Sequence, residues 1–275
     1  MGKNPFPITD DHIHIDPRNG RGVAAARDFL RSGGTHVFLV SKPSGSFGIF
    51  PLRGEDFRPV FEGTLEVASM VNAAGAVAFP VLGVHPAEIT RLSEHLPLGR
   101  VVEIMKEGIA LAARFVEEGA AVAIKSGRPH YEVPPEVWAA SCDVLSFAFE
   151  RAAEVGCAVQ VHAESGDCAD MREMASRAGL DPGRIVKHYA VPTTPLVPSL
   201  IATHPAVPAL AREGRAFMME SDYMDENARP GAVTGPRSVP RATRNLLASG
   251  AIDEESVHRI HAETPSRVYG VEIHL

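Results

Sequence analysis

The sequence carries histidines, a lysine and an aspartate at the ends of short apolar runs. His12 and His14 flank a single isoleucine, and later runs end near Lys125, His162, His188 and Asp222. Side chains alternate along a β-strand, so two histidines at positions i and i+2 face the same side and can hold one ion. Imidazole and carboxylate groups are typical ligands of zinc and related divalent metals. These residue types therefore indicate metal chemistry, provided that the fold brings them together.

Taken singly, each of these residues has an ordinary explanation. A lone histidine at a strand end is more often hydrogen-bonded or solvated than bound to a metal. The combination favours the metal site, because side chains at the carboxyl ends of separate parallel strands converge at one mouth of a barrel.

Short apolar or β-branched runs alternate with longer helical patterns, as expected for repeated βα units around a parallel sheet. The predicted strands cover residues 8–15, 35–41, 76–84, 121–125, 158–162, 184–188, 199–203 and 216–221. Apolar residues at three-to-four spacing predict helices over residues 64–74, 101–118, 135–155 and 167–178. Each of these helices is followed by a glycine suited to a helix C-terminus, namely Gly75, Gly119, Gly156 and Gly179.

The length of 275 residues matches an eight-fold barrel, and no stretch rich in proline and glycine marks a linker. The pattern therefore predicts an α/β fold, a single-domain (β/α)₈ TIM barrel over residues 1–275. Cys142, Cys157 and Cys168 form no CxxC pair, and an odd count favours free thiols. No apolar stretch approaches the roughly 20 residues of a membrane helix. Residues 1–11 lack the pattern of a leader, so we expect a cytoplasmic protein without membrane association.

The ordered set of histidines, lysine and aspartate resembles the amidohydrolase superfamily, and within it the TatD-related hydrolases. Residues 11–14 (Asp-His-Ile-His), 83–86 (Gly-Val-His-Pro) and 220–222 (Glu-Ser-Asp) are similar to the family's motifs at the first, third and eighth strands, and residues 263–270 to its closing segment. Residues 127–131 and 229–233 are most similar to a mainly archaeal branch of predicted hydrolases.

This resemblance implies one or two divalent metal ions, with zinc first and manganese, iron or magnesium as alternatives. In the superfamily pattern His12, His14 and Asp222 hold an inner ion, His162 and His188 hold an outer ion, and Lys125 spans both. Asp222 would accept the proton of a metal-activated water that attacks a carbonyl or phosphoryl centre. Asp222 and Lys125 are accordingly the predicted catalytic residues.

Lys125 departs from the TatD pattern, in which a glutamate generally stands at this strand. A protonated lysine would repel the ions, but a neutral amine can take up carbon dioxide and become an anionic carbamate, as in phosphotriesterase-like members of the superfamily. The alternative is an ordinary ammonium group that occupies the second metal position and leaves a site for one ion. The flanking ligands favour the carbamate, because their field lowers the lysine pKa.

Four further residues are predicted to contact substrate from loops at the same mouth, namely His85, Arg128, His130 and Tyr131. Each has an alternative role: a surface ion pair for Arg128, support of a ligand for His85, and loop packing for the other two. Glu164 and Glu220 are expected to lie outside the metal shell. Residues 223–241 are predicted to form a lid or substrate loop, in which Arg229, Arg237 and Arg241 supply positive charge suited to phosphate or carboxylate groups.

Three functions remain open from the sequence. The first is a hydrolase of a small-molecule ester, lactone, amide or phosphoester, which Lys125 and the net charge of −7 favour. The second is a TatD-like metal-dependent deoxyribonuclease, which the resemblance suggests but the shortage of basic residues weakens. The third is a metal-binding scaffold without turnover. No pattern predicts an oligomeric state.

Overall fold

A parallel sheet forms the centre of the fold in the computed structural model, which describes residues 5–230 and 233–275. Within these residues the strands are β1 (Thr9–His14), β2 (His36–Val40), β3 (Val77–Gly83), β4 (Ala123–Gly127), β5 (Ala158–His162), β6 (Ile185–Lys187), β7 (Val197–Ile201), β8 (Met218–Glu220) and β9 (Tyr223–Met224). Their order in the sheet is β8-β7-β6-β5-β4-β3-β2-β1-β9, with every pair parallel. Neighbouring strands thus follow the chain order of repeated βα units.

The first and last strands meet, so the sheet curls into a barrel. β8 and β9 belong to one run that is interrupted at Ser221 and Asp222; β8 pairs with β7 and β9 pairs with β1. At the interruption the backbone N–H of Asp222 donates to the carbonyl oxygen of His12 at 3.0 Å. The N–H of Ser221 donates to Oδ1 of Asp10 at 2.9 Å. The predicted α/β fold, a single-domain barrel of the TIM type, is therefore confirmed.

Helices lie on the outside of the sheet after each of the first five strands, after β7 and after β9. They are α1 (Val23–Arg31), α2 (Arg58–Ala74), α3 (Glu88–Ser93), α4 (Leu98–Glu117), α5 (Pro135–Val155), α6 (Asp170–Arg177), α7 (Val207–Arg212), α8 (Ser238–Ala248), α9 (Glu254–His258) and α10 (Thr264–Tyr269). Short 3₁₀ segments cover Ser44–Phe47, Gly54–Phe57 and Pro182–Arg184, and a π-helical turn, Arg259–Glu263, joins α9 to α10. The largest apolar cluster packs α2, α4 and α5 against β3, β4 and β5.

Apolar side chains fill the inside of the barrel. Phe38, Val81 and Met218 from three strands pack with Tyr269 and Ile273 from the C-terminal segment. The rings of Phe38 and Tyr269 stack with centroids 4.0 Å apart. The C-terminal segment therefore closes one end of the barrel, and the polar strand ends occupy the other.

Some predicted boundaries were wrong. The fourth strand covers Ala123–Gly127 rather than residues 121–125. The seventh strand covers Val197–Ile201 rather than residues 199–203, so Pro198 lies inside the strand and not before it. Helix α2 begins six residues before the predicted start, since Pro59 stands in its first turn, where proline fits a helix. The predicted helix over residues 135–155 matches α5 at both ends.

The loop predicted over residues 223–241 was wrong in part, because β9 lies at its start and α8 begins at Ser238. Gly231 and Ala232, two residues of the archaeal-like segment, lie outside the described residues, as do residues 1–4. The four predicted C-terminal glycines all have left-handed φ values, between 71° and 105°. The cysteines are unpaired thiols, and no helix within the described ranges is long and apolar enough to cross a membrane.

Candidate metal centre

Two histidines at the end of β1 converge on one point. The pairing of β1 with β2 shifts register between Asp10 and Ile13. His12 lies within this irregularity and His14 follows it; both are buried, with 1% and 3% of their surface exposed. Their Nε2 atoms lie 3.1 Å apart. The two side chains therefore lie on the same side of the strand, as alternation predicts.

A second pair of histidines meets the first. Nδ1 of His162 at the end of β5 lies 2.9 Å from Nε2 of His188, which follows β6. The rings of His188 and His12 stack with centroids 3.9 Å apart, and Oδ1 of Asp222 lies 3.8 Å from Nε2 of His12. Two ligand atoms on one tetrahedral zinc ion, each at about 2.0–2.1 Å, are separated by roughly 3.3 Å. Three of these residues, His12, His188 and Asp222, offer ligand atoms that all lie within 4.8 Å of one another, a group that could hold a metal ion.

Hydrogen bonds behind two of the rings fix which nitrogen faces the site. Nδ1 of His14 lies 2.8 Å from the carbonyl oxygen of Val40, which can only accept, so Nδ1 carries the proton. Nδ1 of His188 lies 3.1 Å from Oε1 of Glu220, which also accepts from the backbone N–H of Tyr189 at 2.8 Å. In both rings Nε2 is left with its lone pair toward the other histidines. Such partners behind a ring are typical of metal-binding histidines.

Burial keeps these imidazoles neutral. It lowers the pKa of His14 to about 3 and holds the pKa of His12, His162 and His188 well below the ordinary value near 6.5. A neutral imidazole is the form that binds a metal. At neutral pH all four rings therefore offer lone pairs.

Several carboxyl groups are buried near the histidines, and some of their oxygens have no hydrogen-bond partner. Burial raises the pKa of Asp10 to about 7, of Asp11 to about 8 and of Asp222 to about 6. Among the described residues, both carboxylate oxygens of Asp11, one of Asp10 and one of Glu220 are buried without a hydrogen-bond partner. A bound cation would favour the charged form of these carboxyl groups, so the donor set and its surroundings fit a divalent metal.

Lys125 lies inside the same cluster, with 1% of its surface exposed. It precedes the last residue of β4 by two positions. Burial lowers its pKa to about 7, although the charges of Asp222 and Glu220 act in the opposite direction. Near neutral pH, Lys125 is therefore a neutral amine in a substantial fraction of the molecules.

The sequence profile described as TatD related DNase matches residues 9–270. The chain belongs to the TatD-related DNase family. An uncharacterized protein from Methanocaldococcus jannaschii is 34% identical over 291 residues, with 98% of each chain covered. As a member of the TatD-related DNase family, this chain is a hydrolase.

Solved structures give the same fold at low sequence identity. The organophosphorus hydrolase from Deinococcus radiodurans has a TM-score of 0.60 at 16% identity, with 98% of this chain and 93% of that chain covered. A lactonase from Listeria monocytogenes has a TM-score of 0.63 at 12% identity, with 98% and 96% covered. The TatD-family chain therefore shares its fold with these two proteins.

Two of the predicted substrate residues touch the histidine cluster of this TatD-family protein. The ring of His85 lies 4.7 Å from that of His162 between centroids, and Nδ1 of the exposed His130 lies 2.7 Å from Nε2 of His162. Tyr131 lies one step further out: its ring contacts His130, and its hydroxyl group bonds Oγ1 of Thr90 at 2.6 Å. These residues form a rim around His162.

Arg128 does not reach this rim. Its guanidinium group is buried, donates to the carboxylates of Glu164 and Asp170, and lies over the ring of Trp138 at 4.6 Å. Its donors are engaged by these carboxylates, so the structure favours the ion-pair alternative over contact with substrate. Glu164, two residues after His162, serves this ion pair.

The sequence did not reveal two residues that support or border the site, Lys187 and Tyr189. Nζ of the buried Lys187 donates to the carbonyl oxygens of Ala163 and His188, at 3.3 and 3.0 Å, and so ties together two strand ends that carry candidate ligands. Glu220, which was expected outside the metal shell, contacts Nδ1 of His188 from behind the ring. Tyr189 has a φ of 50° and a half-exposed ring beside His188. Strained backbone of this kind clusters at functional sites, but no residue type in the sequence signals it.

Proposed function

We propose that this TatD-family chain is a metal-dependent hydrolase that binds one or two divalent ions through its histidine cluster. The ligands would be His12, His14, His162, His188 and Asp222, together with Lys125. The observation that carries the proposal is the meeting of four neutral imidazoles in two pairs, with nitrogen separations of 3.1 and 2.9 Å. Zinc is the first candidate because imidazole suits it; manganese, iron and magnesium are the alternatives.

When bound, a divalent ion supplies a water of near-neutral pKa and polarises a carbonyl or phosphoryl oxygen. Asp222 is the proton acceptor in this proposal, because burial raises its pKa to about 6, close to working pH. Its backbone N–H is fixed on His12, so the carboxylate is held at the histidines. His130 and Tyr131 are exposed at the rim and would orient the substrate. Tyr189 would contact it from the other side of His188.

For Lys125 we propose that the neutral amine carries carbon dioxide as a carbamate. The nitrogen forms a bond to the carbon of carbon dioxide and releases a proton to solvent, which leaves an anion. The anion would supply the charge that a glutamate provides in most TatD proteins. The lysine is buried among the candidate ligands, where an ammonium group is destabilised. The alternative, a cationic Lys125 beside one ion, predicts a different metal count.

The substrate class that we favour is a small ester, lactone, amide or phosphoester. Two solved structures with the same fold bear the names organophosphorus hydrolase and lactonase. The net charge of −7 disfavours a long polyanion. The second candidate is a metal-dependent deoxyribonuclease, which the description of the family supports.

Turnover by purified protein tests this proposal. Ester, lactone, amide and phosphoester reporters and single-stranded DNA would be assayed with and without added zinc or manganese. We expect turnover of a small reporter that a chelator abolishes and that His12→Ala and Asp222→Ala both remove. His258→Ala is the matched control, because this histidine is exposed on α9 and is not one of the candidate ligands.

Faster cleavage of DNA than of any small reporter would favour the second candidate. Full turnover in both ligand variants would refute the site. Metal binding without turnover of any substrate would support a scaffold that has lost catalysis.

A further inference from the structure

A cavity lined by charged side chains lies between α1 and α8, with a volume of about 360 Å³. Small-ligand pockets range from roughly 300 to 1,000 Å³. The charged residues that line the cavity are Arg21, Arg237, Arg241 and Asp28, and none of the candidate metal ligands lines it. The cavity is therefore separate from the histidine cluster.

Asp28 fixes two of the arginines on one wall. Its side chain is 2% exposed, and Oδ2 accepts from the guanidinium groups of Arg21 at 2.7 Å and Arg237 at 2.8 Å. Oδ1 pairs with Arg31, which does not line the cavity. Arg21 comes from the loop after β1 and Arg237 from the start of α8, so one buried carboxylate brings together cations from opposite ends of the chain.

The cavity lining carries more positive than negative charge. Three arginines against one aspartate leave two positive charges, in a chain whose net charge is −7. The first turn of α8 contains no acidic residue, and no side chain caps it. The positive end of the helix therefore adds to the arginines at the cavity. An anion would relieve the repulsion among these groups.

We propose that this cavity binds the phosphate group of a small organic phosphate. Each guanidinium group has five N–H donors in a planar fork that matches phosphate oxygens. Asp28 engages one nitrogen of Arg21 and one of Arg237, which leaves donors for a ligand. The volume accommodates a small molecule, and the acidic surface of the chain disfavours a nucleic-acid strand. This site is independent of the proposed hydrolase activity.

Calorimetric titration of the purified protein tests the proposal, with glycerol 3-phosphate, inorganic phosphate and a short single-stranded oligonucleotide as probes. We expect saturable binding of glycerol 3-phosphate at one site per chain. The double variant Arg237→Ala/Arg241→Ala should weaken it at least tenfold. Arg244→Ala is the matched control, because Arg244 is exposed on α8 but does not line the cavity. Phosphate bound at the histidine cluster would survive the double substitution and so would be recognised.

Equal affinity in the unaltered protein and the double variant would overturn the proposal, as would no saturable binding of either phosphate. Tighter binding of the oligonucleotide, lost in the double variant, would overturn the choice of a small molecule. If the double variant does not fold, Arg241→Gln decides, because Arg241 makes no bond to Asp28. We expect Arg241→Gln to weaken the binding of glycerol 3-phosphate several-fold. Unchanged affinity would count against the site.

Discussion

At the scale of single residues, the orientation of the histidines depends on groups that lie behind them. The carbonyl of Val40 holds His14, and the carboxylate of Glu220 holds both His188 and the backbone of Tyr189. Each bond leaves Nε2 of the ring directed toward its neighbours. The affinity of the site for metal should therefore depend on a residue that does not itself bind the ion.

Replacing Glu220 with Gln tests this dependence. We expect zinc to bind about 10- to 100-fold more weakly, because a neutral amide oxygen accepts the Nδ1 proton of His188 more weakly than a carboxylate does. Competition with a zinc-binding dye measures the change, and Glu213→Gln on the exposed surface is the control. Unchanged zinc affinity in the Glu220 variant would mean that His188 is held by other contacts.

Lys125 offers a second test at this scale. If it carries a carbamate, Lys125→Glu should keep two ions bound and retain part of the turnover, because the carboxylate supplies the same charge. Lys125→Ala should lose the second ion and regain some activity with a short-chain carboxylic acid. Bicarbonate should also help metal reconstitution of the unaltered protein. Counting metal ions per chain in these proteins distinguishes the alternatives.

A cationic Lys125 gives the opposite pattern. Metal stoichiometry would then stay near one in the unaltered protein, bicarbonate would have no effect, and Lys125→Glu would raise the count.

The sequence predicted the residues that meet but not those that support them. His12 and His14 were identifiable because alternation along a strand is a strict rule. The sequence left the role of Arg128 open, because its partners Glu164 and Asp170 come from a later strand end and helix, and only the folded chain brings them together. Lys187 faces away from the barrel by alternation, so no pattern indicates that its amine turns back to two carbonyl groups.

At the scale of elements, His261 joins three parts of the fold around the N-terminal half of β1. It is fully buried in the π-helical turn. Nδ1 contacts the backbone of Thr9 in β1, and Nε2 lies 2.8 Å from Oγ1 of Thr243 in α8. Burial lowers its pKa from 6.5 to about 4.

This shift predicts a pH dependence of stability. Between pH 6.5 and 4 the unfolded chain takes up a proton at His261 that the folded chain does not, so stability is lost as the pH falls through this window. For this residue the loss amounts to at most about 3 kcal/mol. Urea unfolding of chelator-treated protein should therefore show a smaller loss from pH 7 to pH 5 in His261→Gln than in the unaltered protein.

Parallel losses in the two proteins would assign the pH dependence to other buried histidines, such as His36, whose pKa burial also lowers to about 4.

Long elements with clear periodicity could be read from the sequence, and short ones could not. Helix α5 was predicted at both ends because 21 residues carry a sustained apolar pattern. Helices α3 and α7 have six residues each, which is too short for periodicity to stand out. The interruption between β8 and β9 depends on the positive φ of Asp222, 45°, which long-range contacts impose.

At the scale of the whole molecule, net charge limits the choice of substrate. A chain with a net charge of −7 has few cations to neutralise phosphates along DNA. Any nuclease activity should therefore be weak and should fall steeply with added salt. Initial rates on single-stranded DNA at low and physiological salt measure this, and rapid degradation at physiological salt would place the nuclease ahead of the small-molecule hydrolase.

We propose that closure of the barrel assembles a metal centre from the strand ends. The most direct test is the zinc content of the purified protein after metal loading and gel filtration, compared with the double variant His12→Ala/His188→Ala. We predict at least one tightly bound zinc ion per chain in the unaltered protein, two if Lys125 carries a carbamate, and none in the folded double variant. An unaltered protein that retains no zinc, or a double variant that retains as much, would contradict the account.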